Sequence, residues 1–205
     1  MSIKEGQKLA CSLLFLAALE GAAARAQTDI GLSPYGAFGN AVDANNAAQT
    51  EDRPSGSAGG MIELRHISSP LAGYEATYSF NRANQTYRVI CYNGCSPVAA
   101  VSANADEITG DWLISARAGR IRPFALAGAG VLFTEPTGGQ SYTQSSTTAV
   151  YVYGAGLDWR LLPHLGLRFQ YRGNVHKAPY ITTVYGSADA FTHTAEPMAG
   201  AYYRF

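Results

Sequence analysis

Alternation of side-chain character with a period of two, held over segments of about ten residues, is the feature that most limits what this chain can become. It is cleanest between Ala72 and Arg82. There Tyr74, Ala76, Tyr78 and Phe80 share one face, and Glu75, Thr77, Ser79 and Asn81 share the other. Successive side chains point to opposite faces only in an extended strand, so the pattern predicts β-structure. Similar segments run from about Asp29 to Phe38, Ala58 to Ile67, Asp106 to Ala118, Pro123 to Thr134, Ala149 to Arg160, Leu165 to Gly173, and through the closing stretch to Phe205. That makes eight strands.

The connections between them alternate in length. Ser68-Ser69-Pro70-Leu71, Gly119-Arg120-Ile121-Arg122 and Leu161-Leu162-Pro163-His164 are short, whereas four others are long and polar. One strand face repeatedly carries Glu, Arg, Asp and Gln, and the other carries Tyr, Trp, Leu and Phe. A soluble β-sandwich or a lipocalin-like barrel would have to bury one face or expose the other to water. Lipid satisfies both, with aromatics toward the bilayer and its interfaces and charges paired inside. Only helices and closed barrels satisfy their backbone in a bilayer. Segments of this length match tilted membrane strands, and short turns at one end with long loops at the other match an outer-membrane barrel. The fifth segment is the least regular: Phe124, Leu126 and Leu132 point one way, and Ala125, Ala127, Ala129 and Val131 the other.

The first 26 residues read differently. Lys4 and Lys8 give a basic start, Leu9 to Leu19 form an apolar run, and Ala24-Arg25-Ala26 offers a small-x-small cleavage site. The run is too short for a spanning helix. Cys11 precedes the apolar core and lacks a lipobox around it, which argues against a lipid anchor. The expectation is a signal peptide over 1–26, cleaved between Ala26 and Gln27, and a barrel domain over 27–205. Beyond residue 26 the chain keeps 12 basic and 13 acidic residues, with Lys177 the single lysine against eleven arginines. A net charge so close to zero gives no electrostatic case for binding nucleic acid.

The chain end is the most specific local motif. Met198-Ala199-Gly200-Ala201-Tyr202-Tyr203-Arg204-Phe205 alternates and finishes on Phe. With Pro123-Phe124-Ala125-Leu126-Ala127-Gly128-Ala129-Gly130 and Tyr153-Gly154-Ala155-Gly156-Leu157-Asp158, it resembles the OmpA/OmpX-type outer-membrane barrel-domain family across the whole mature chain. The resemblance implies an all-β, eight-stranded antiparallel up-and-down transmembrane barrel in the outer membrane of a Gram-negative-type bacterium, with both termini periplasmic. It also implies Ala201, Tyr203 and Phe205 as an assembly signal. The partners it implies are outer-membrane lipids and, in transit, periplasmic chaperones and the barrel-assembly machinery.

Candidate chemistry is sparse. Cys91-Tyr92-Asn93-Gly94-Cys95 lies in the second long loop, where exported thiols oxidise, so a Cys91–Cys95 disulfide is expected over a metal site. Glu63, Arg65, Glu75, Asp111, Arg117, Asp158, Arg160, Arg168, Arg172, Glu196 and Arg204 are expected to face inward. They form either a packed salt-bridge plug, as an eight-stranded interior just wide enough for side chains favours, or the lining of a narrow channel for ions or very small solutes. A lipid A-modifying enzyme is the third reading. Its His-x-Ser match, His66-Ile67-Ser68, falls at the short-turn end, and His176 and His193 with Ser187 or Asp189 show no established catalytic spacing. Gly128-Ala-Gly130 and Gly154-Ala-Gly156 lack the remainder of a nucleotide loop, and Asn84-Gln85-Thr86 is read as a chance sequon. No cofactor, metal or catalytic residue is expected. The leading expectation is a structural or interaction barrel presenting four loops.

Overall fold

The computed structural model describes residues 26–43, 50–69, 71–89, 98–138, 141–183 and 190–205. Residues 1–25, with most of the expected signal peptide, and Cys91 and Cys95 lie outside them. Ten strands form: β1 (Gln27–Gly39), β2 (Val42–Asp43), β3 (Thr50–Pro54), β4 (Ser57–Ser69), β5 (Ala72–Val89), β6 (Val98–Ser115), β7 (Ile121–Pro136), β8 (Ser146–Arg160), β9 (Leu165–Lys177) and β10 (Phe191–Arg204). Among the described residues there is no helix.

Eight of these strands close into a barrel. Hydrogen-bonded neighbours run β5, β4, β1, β10, β9, β8, β7, β6 and back to β5, every pair antiparallel. Closure leaves no barrel strand with an unpaired edge, the one β-arrangement a bilayer tolerates. The first and last strands meet in register, Asp29 opposite Arg204 and Leu32 opposite Ala201. Both ends of the barrel domain therefore lie at the same rim as the short turns, the terminal rim. One of those turns needs Gly119, whose φ of +64° disfavours any other residue.

The strands are longer than the alternation alone indicates. β5 and β6 each hold 18 residues and stay paired out to Arg88 opposite Val98. The first long connection also carries structure, a β2–β3 hairpin whose β3 pairs with the outer part of β5. These extensions escaped the sequence reading because they pass beyond the apolar belt, where neither face has to be apolar and the period-two signal disappears.

Burial is inverted relative to a soluble protein. Leu32, Trp112 and Tyr151 are 64, 51 and 58 % exposed, whereas Arg65, Arg168 and Arg172 are completely buried. An extended apolar outside with a charged inside has its natural solvent in lipid. The expectation that large apolar side chains face outward fails on β7. Phe124, Leu126 and Leu132 are buried in the lumen, with Leu113, Val150 and Val152. Ala125, Ala127 and Ala129 take the other face. The middle of the outward face of β7 is thus built from alanines, between Ile121 at one end and Val131 and Phe133 at the other.

The face assignment yields a depth test. Phe169 is 45 % exposed well inside β9, and Leu165 begins that strand on the same face. Phe169→Arg should cost about 2–4 kcal/mol and Leu165→Arg about 0–1 kcal/mol. Urea titration of the chain refolded into lipid vesicles, read by heat-modifiable gel mobility, measures both. Equal tolerance would mean that this face does not meet lipid.

Candidate functional site

The interior is organised around three arginines that β4 and β9 aim inward. Arg168 donates from Nε to Asp158 Oδ1 and from Nη2 to Asp29 Oδ1, both at 2.8 Å, and its Nη1 lies 3.4 Å from Glu63 Oε2. Arg65 donates from Nε to Glu75 Oε2 at 2.5 Å and reaches Asp158 Oδ2 at 3.2 Å. Its guanidinium also lies 4.0 Å from the centre of the Phe124 ring, a cation–π geometry. Arg122 completes this layer by donating to both Asp158 and Asp29.

Arg172 forms a second layer toward the long-loop end. It donates to Asp111 Oδ2 and Thr77 Oγ1 through Nη1, at 3.3 and 3.2 Å, and to Glu107 Oε1 and Thr109 Oγ1 through Nη2, at 3.3 and 3.1 Å. Asn174 holds the other Glu107 oxygen at 2.8 Å. Room for these groups comes from glycine. A Cβ on Gly31 would stand 2.6 Å from Glu63 Oε2, and one on Gly128 would stand 2.1 Å from Asp111 Oδ1.

Three hydrogen-bonded bridges cross the barrel, one of them from Arg122 on β7 to Asp29 on the opposite strand β1. In the cyclic strand order β9 stands opposite β5, and Arg172 spans that distance to Thr77. Likewise β4 stands opposite β8, and Arg65 spans to Asp158. Side chains that join opposite walls occupy the axis itself.

Of the side chains expected inside, Glu63, Arg65, Glu75, Asp111, Asp158, Arg168, Arg172 and Glu196 are buried in the lumen. Three arginines are not in the network. Arg117 lies past the end of β6, exposed, and donates to Gln27 Oε1. Arg160 and Arg204 end their strands at the terminal rim, part-buried, with no carboxylate within ion-pair distance among the described residues. All three lie at or beyond the strand ends, so alternation alone does not place a charge in the lumen; depth is needed as well. Conversely, Asp29, Glu107 and Arg122 belong to the network but were not singled out from sequence. Asp29 and Glu107 each precede an isoleucine of the alternating pattern, Ile30 and Ile108, so that signal was available. Arg122 looked like part of a turn.

Above Arg172, toward the long connections, lies a cavity of about 70 Å³. Asp52, Glu107, Asn174, His176 and Glu196 line it beside Leu132. Asp52 comes from the β2–β3 hairpin, outside the spanning strands, and burial pushes its carboxyl up to about 7. The His-x-Ser residues are engaged separately at the other end: His66 Nδ1 meets Thr28 Oγ1 at 2.9 Å, and Ser68 donates to the Ala72 carbonyl at 2.7 Å. His193 Nε2 meets the Tyr153 hydroxyl at 2.8 Å. Ser187 and Asp189 lie outside the described residues. At the terminal rim Ala201, Tyr203 and Phe205 face outward, with the Tyr203 and Phe205 rings edge to face at 5.5 Å.

Residues 9–205 match the family described as outer membrane protein beta-barrel domain. Among solved structures, the chain is similar to Neisserial surface protein A, with a TM-score of 0.56 at 14 % identity, over 88 % of this chain and 99 % of that one. It is also similar to the outer membrane protein OprG from Pseudomonas aeruginosa, with a TM-score of 0.52 at 11 % identity, over 87 and 95 %. At these identities the likeness concerns the fold. No curated protein sequence matches the chain.

Removing Arg168 would leave Glu63 without an ion pair and would take one of two arginines from Asp29 and one of three from Asp158. Arg168→Met should therefore cost about 3–5 kcal/mol. Arg53→Met, which breaks an exposed pair with Glu51, should cost less than about 1 kcal/mol. Urea unfolding in detergent micelles, followed by tryptophan fluorescence, compares them. Similar losses in both would show that the lumen network is not an interdependent unit.

Proposed function

Because the chain belongs to the outer membrane protein beta-barrel domain family, we propose that it is a non-catalytic interaction barrel of the bacterial outer membrane. Its lumen is closed by ion pairs, and its four long connections are the parts presented outside. The observation that carries this reading is the set of bridges between opposite walls, above all Arg65 to Asp158 and Arg172 to Thr77. Both guanidinium groups are fully buried and held by several acceptors. A hydrated ion would have to break charge-assisted hydrogen bonds in two successive layers to pass.

The same reading sets the orientation. Short turns and both ends of the barrel share one rim, which in outer-membrane barrels is the periplasmic one. Processing after Ala26 removes nothing from the barrel, because β1 begins at Gln27. Ala201, Tyr203 and Phe205 present an outward aromatic and small-residue edge at that rim, suited to recognition by assembly machinery. The outer band of Leu, Ile, Trp and Tyr side chains takes membrane lipid as its partner.

Conductance of the refolded chain in planar lipid bilayers tests the closed lumen against a narrow channel. The expected record shows no events beyond the protein-free background. A stable open state whose conductance changes in Arg168→Met or Arg172→Met would establish the channel instead.

A further inference from the structure

Charge in the interior is unbalanced, and the imbalance is concentrated at the loop end. Eight carboxyls are buried, those of Asp29, Asp52, Glu63, Glu75, Glu107, Asp111, Asp158 and Glu196, against four buried arginines. Asp29, Glu63, Glu75, Glu107, Asp111 and Asp158 each lie within ion-pair distance of an arginine. Asp52 and Glu196 have no such cation among the described residues, and both line the cavity above Arg172.

The unpaired atoms there are all acceptors. Asp52 Oδ1, Asn174 Oδ1 and Glu196 Oε2 are buried without a hydrogen-bond partner, on side chains that are 4, 2 and 3 % exposed. His176 adds a fourth acceptor, though one that is already weakly engaged. Its Nδ1 lies 2.9 Å from the Lys177 carbonyl and must donate to it, which leaves Nε2 as an acceptor in the neutral ring, 3.5 Å from Thr194 Oγ1. Buried acceptors without donors are costly, and native structures seldom leave several in one place.

We propose that this loop-end cup binds a small organic cation with several N–H donors, of the primary ammonium or guanidinium class. The cup supplies what such a ligand needs: two carboxylates with no cation within ion-pair distance among the described residues, a carboxamide oxygen and an imidazole nitrogen. Leu132 and neighbouring alanines give an apolar wall for a short carbon chain. A cavity of about 70 Å³ holds roughly five water-sized groups, which limits the ligand to a few heavy atoms. Among the described residues no three acidic, His or Cys side chains converge as a metal site requires, so the chemistry favours an organic donor over a metal ion. Glu107, which is paired with Arg172, lines the same cavity. The site does not depend on whether the barrel conducts, since binding is measured without a membrane potential.

Calorimetric titration of the refolded chain in zwitterionic micelles with n-butylammonium tests the proposal, with tetramethylammonium and calcium as comparison titrants. Saturable one-site binding of n-butylammonium is expected, together with none of tetramethylammonium, which carries charge but no N–H. Glu196→Gln and Asp52→Asn should each weaken it about tenfold or more, as loss of a charge-assisted hydrogen bond implies. Asp52 lies in the hairpin outside the barrel wall, so its variant remains informative if the Glu196 variant fails to refold. Absence of saturable n-butylammonium binding overturns the proposal. So does equal binding of tetramethylammonium, binding of calcium alone, or an affinity unchanged in Asp52→Asn.

Discussion

Everything in this barrel depends on the burial of charge in an interior too narrow for bulk water. Eight strands enclose space that side chains can fill, and here guanidinium groups and carboxylates share it with apolar side chains such as Phe124, Leu126 and Met61. Desolvating such groups is expensive, and their mutual attraction in a low-dielectric interior roughly offsets the cost at best. The ion pairs are therefore better understood as the source of specificity than of net stability. A slip of one residue in any strand would turn its lumen face into lipid. For β9 that would expel Arg168 and Arg172 into the bilayer while moving Phe169 and Tyr171 inside. The lumen charges and the lipid-facing aromatics thus specify the same register from opposite sides.

The two layers of the network differ in kind. Around Arg168 and Arg65, charges from β1, β4, β5, β7, β8 and β9 interlock, with Asp158 shared by three arginines. Around Arg172, neutral acceptors such as Thr77 and Thr109 carry part of the load, and above it no buried arginine or lysine follows among the described residues. The polarity of the lumen changes along the axis, from arginine-rich at the terminal rim to carboxylate-rich at the loop end. This gradient places the closed section and the unsatisfied cup in one continuous interior, and it assigns them different roles.

Strand number, the alternation of short and long connections and the outward direction of Tyr74, Trp112, Tyr151 and Tyr203 were legible in the sequence, because in lipid each follows from a period of two. So was the inward direction of Glu63, Arg65, Asp158, Arg168 and Arg172. What was not legible is depth and partnership. Arg117, Arg160 and Arg204 alternate as well as Arg168 does, yet they end at the rim, where water competes. Phe124 alternates as an aromatic yet lies inside against Arg65, because the guanidinium offers its ring a partner that the pattern cannot represent. The cup was invisible for a related reason. Asp52 reaches it from a hairpin within a polar connection, and Glu107 and Asn174 meet there only after closure brings β6 beside the space that β9 faces.

Solvent protection of the bridging guanidinium groups tests the central claim most directly. In nitrogen-15-labelled protein refolded into nanodiscs, the Nε–H protons of Arg65 and Arg168, held by Glu75 and Asp158, should give resolved signals at neutral pH that exchange slowly with water. The Nε–H of exposed Arg53 should exchange rapidly. Rapid exchange at Arg65 and Arg168, matching that of Arg53, would mean that water passes freely through the barrel and would contradict the closed lumen.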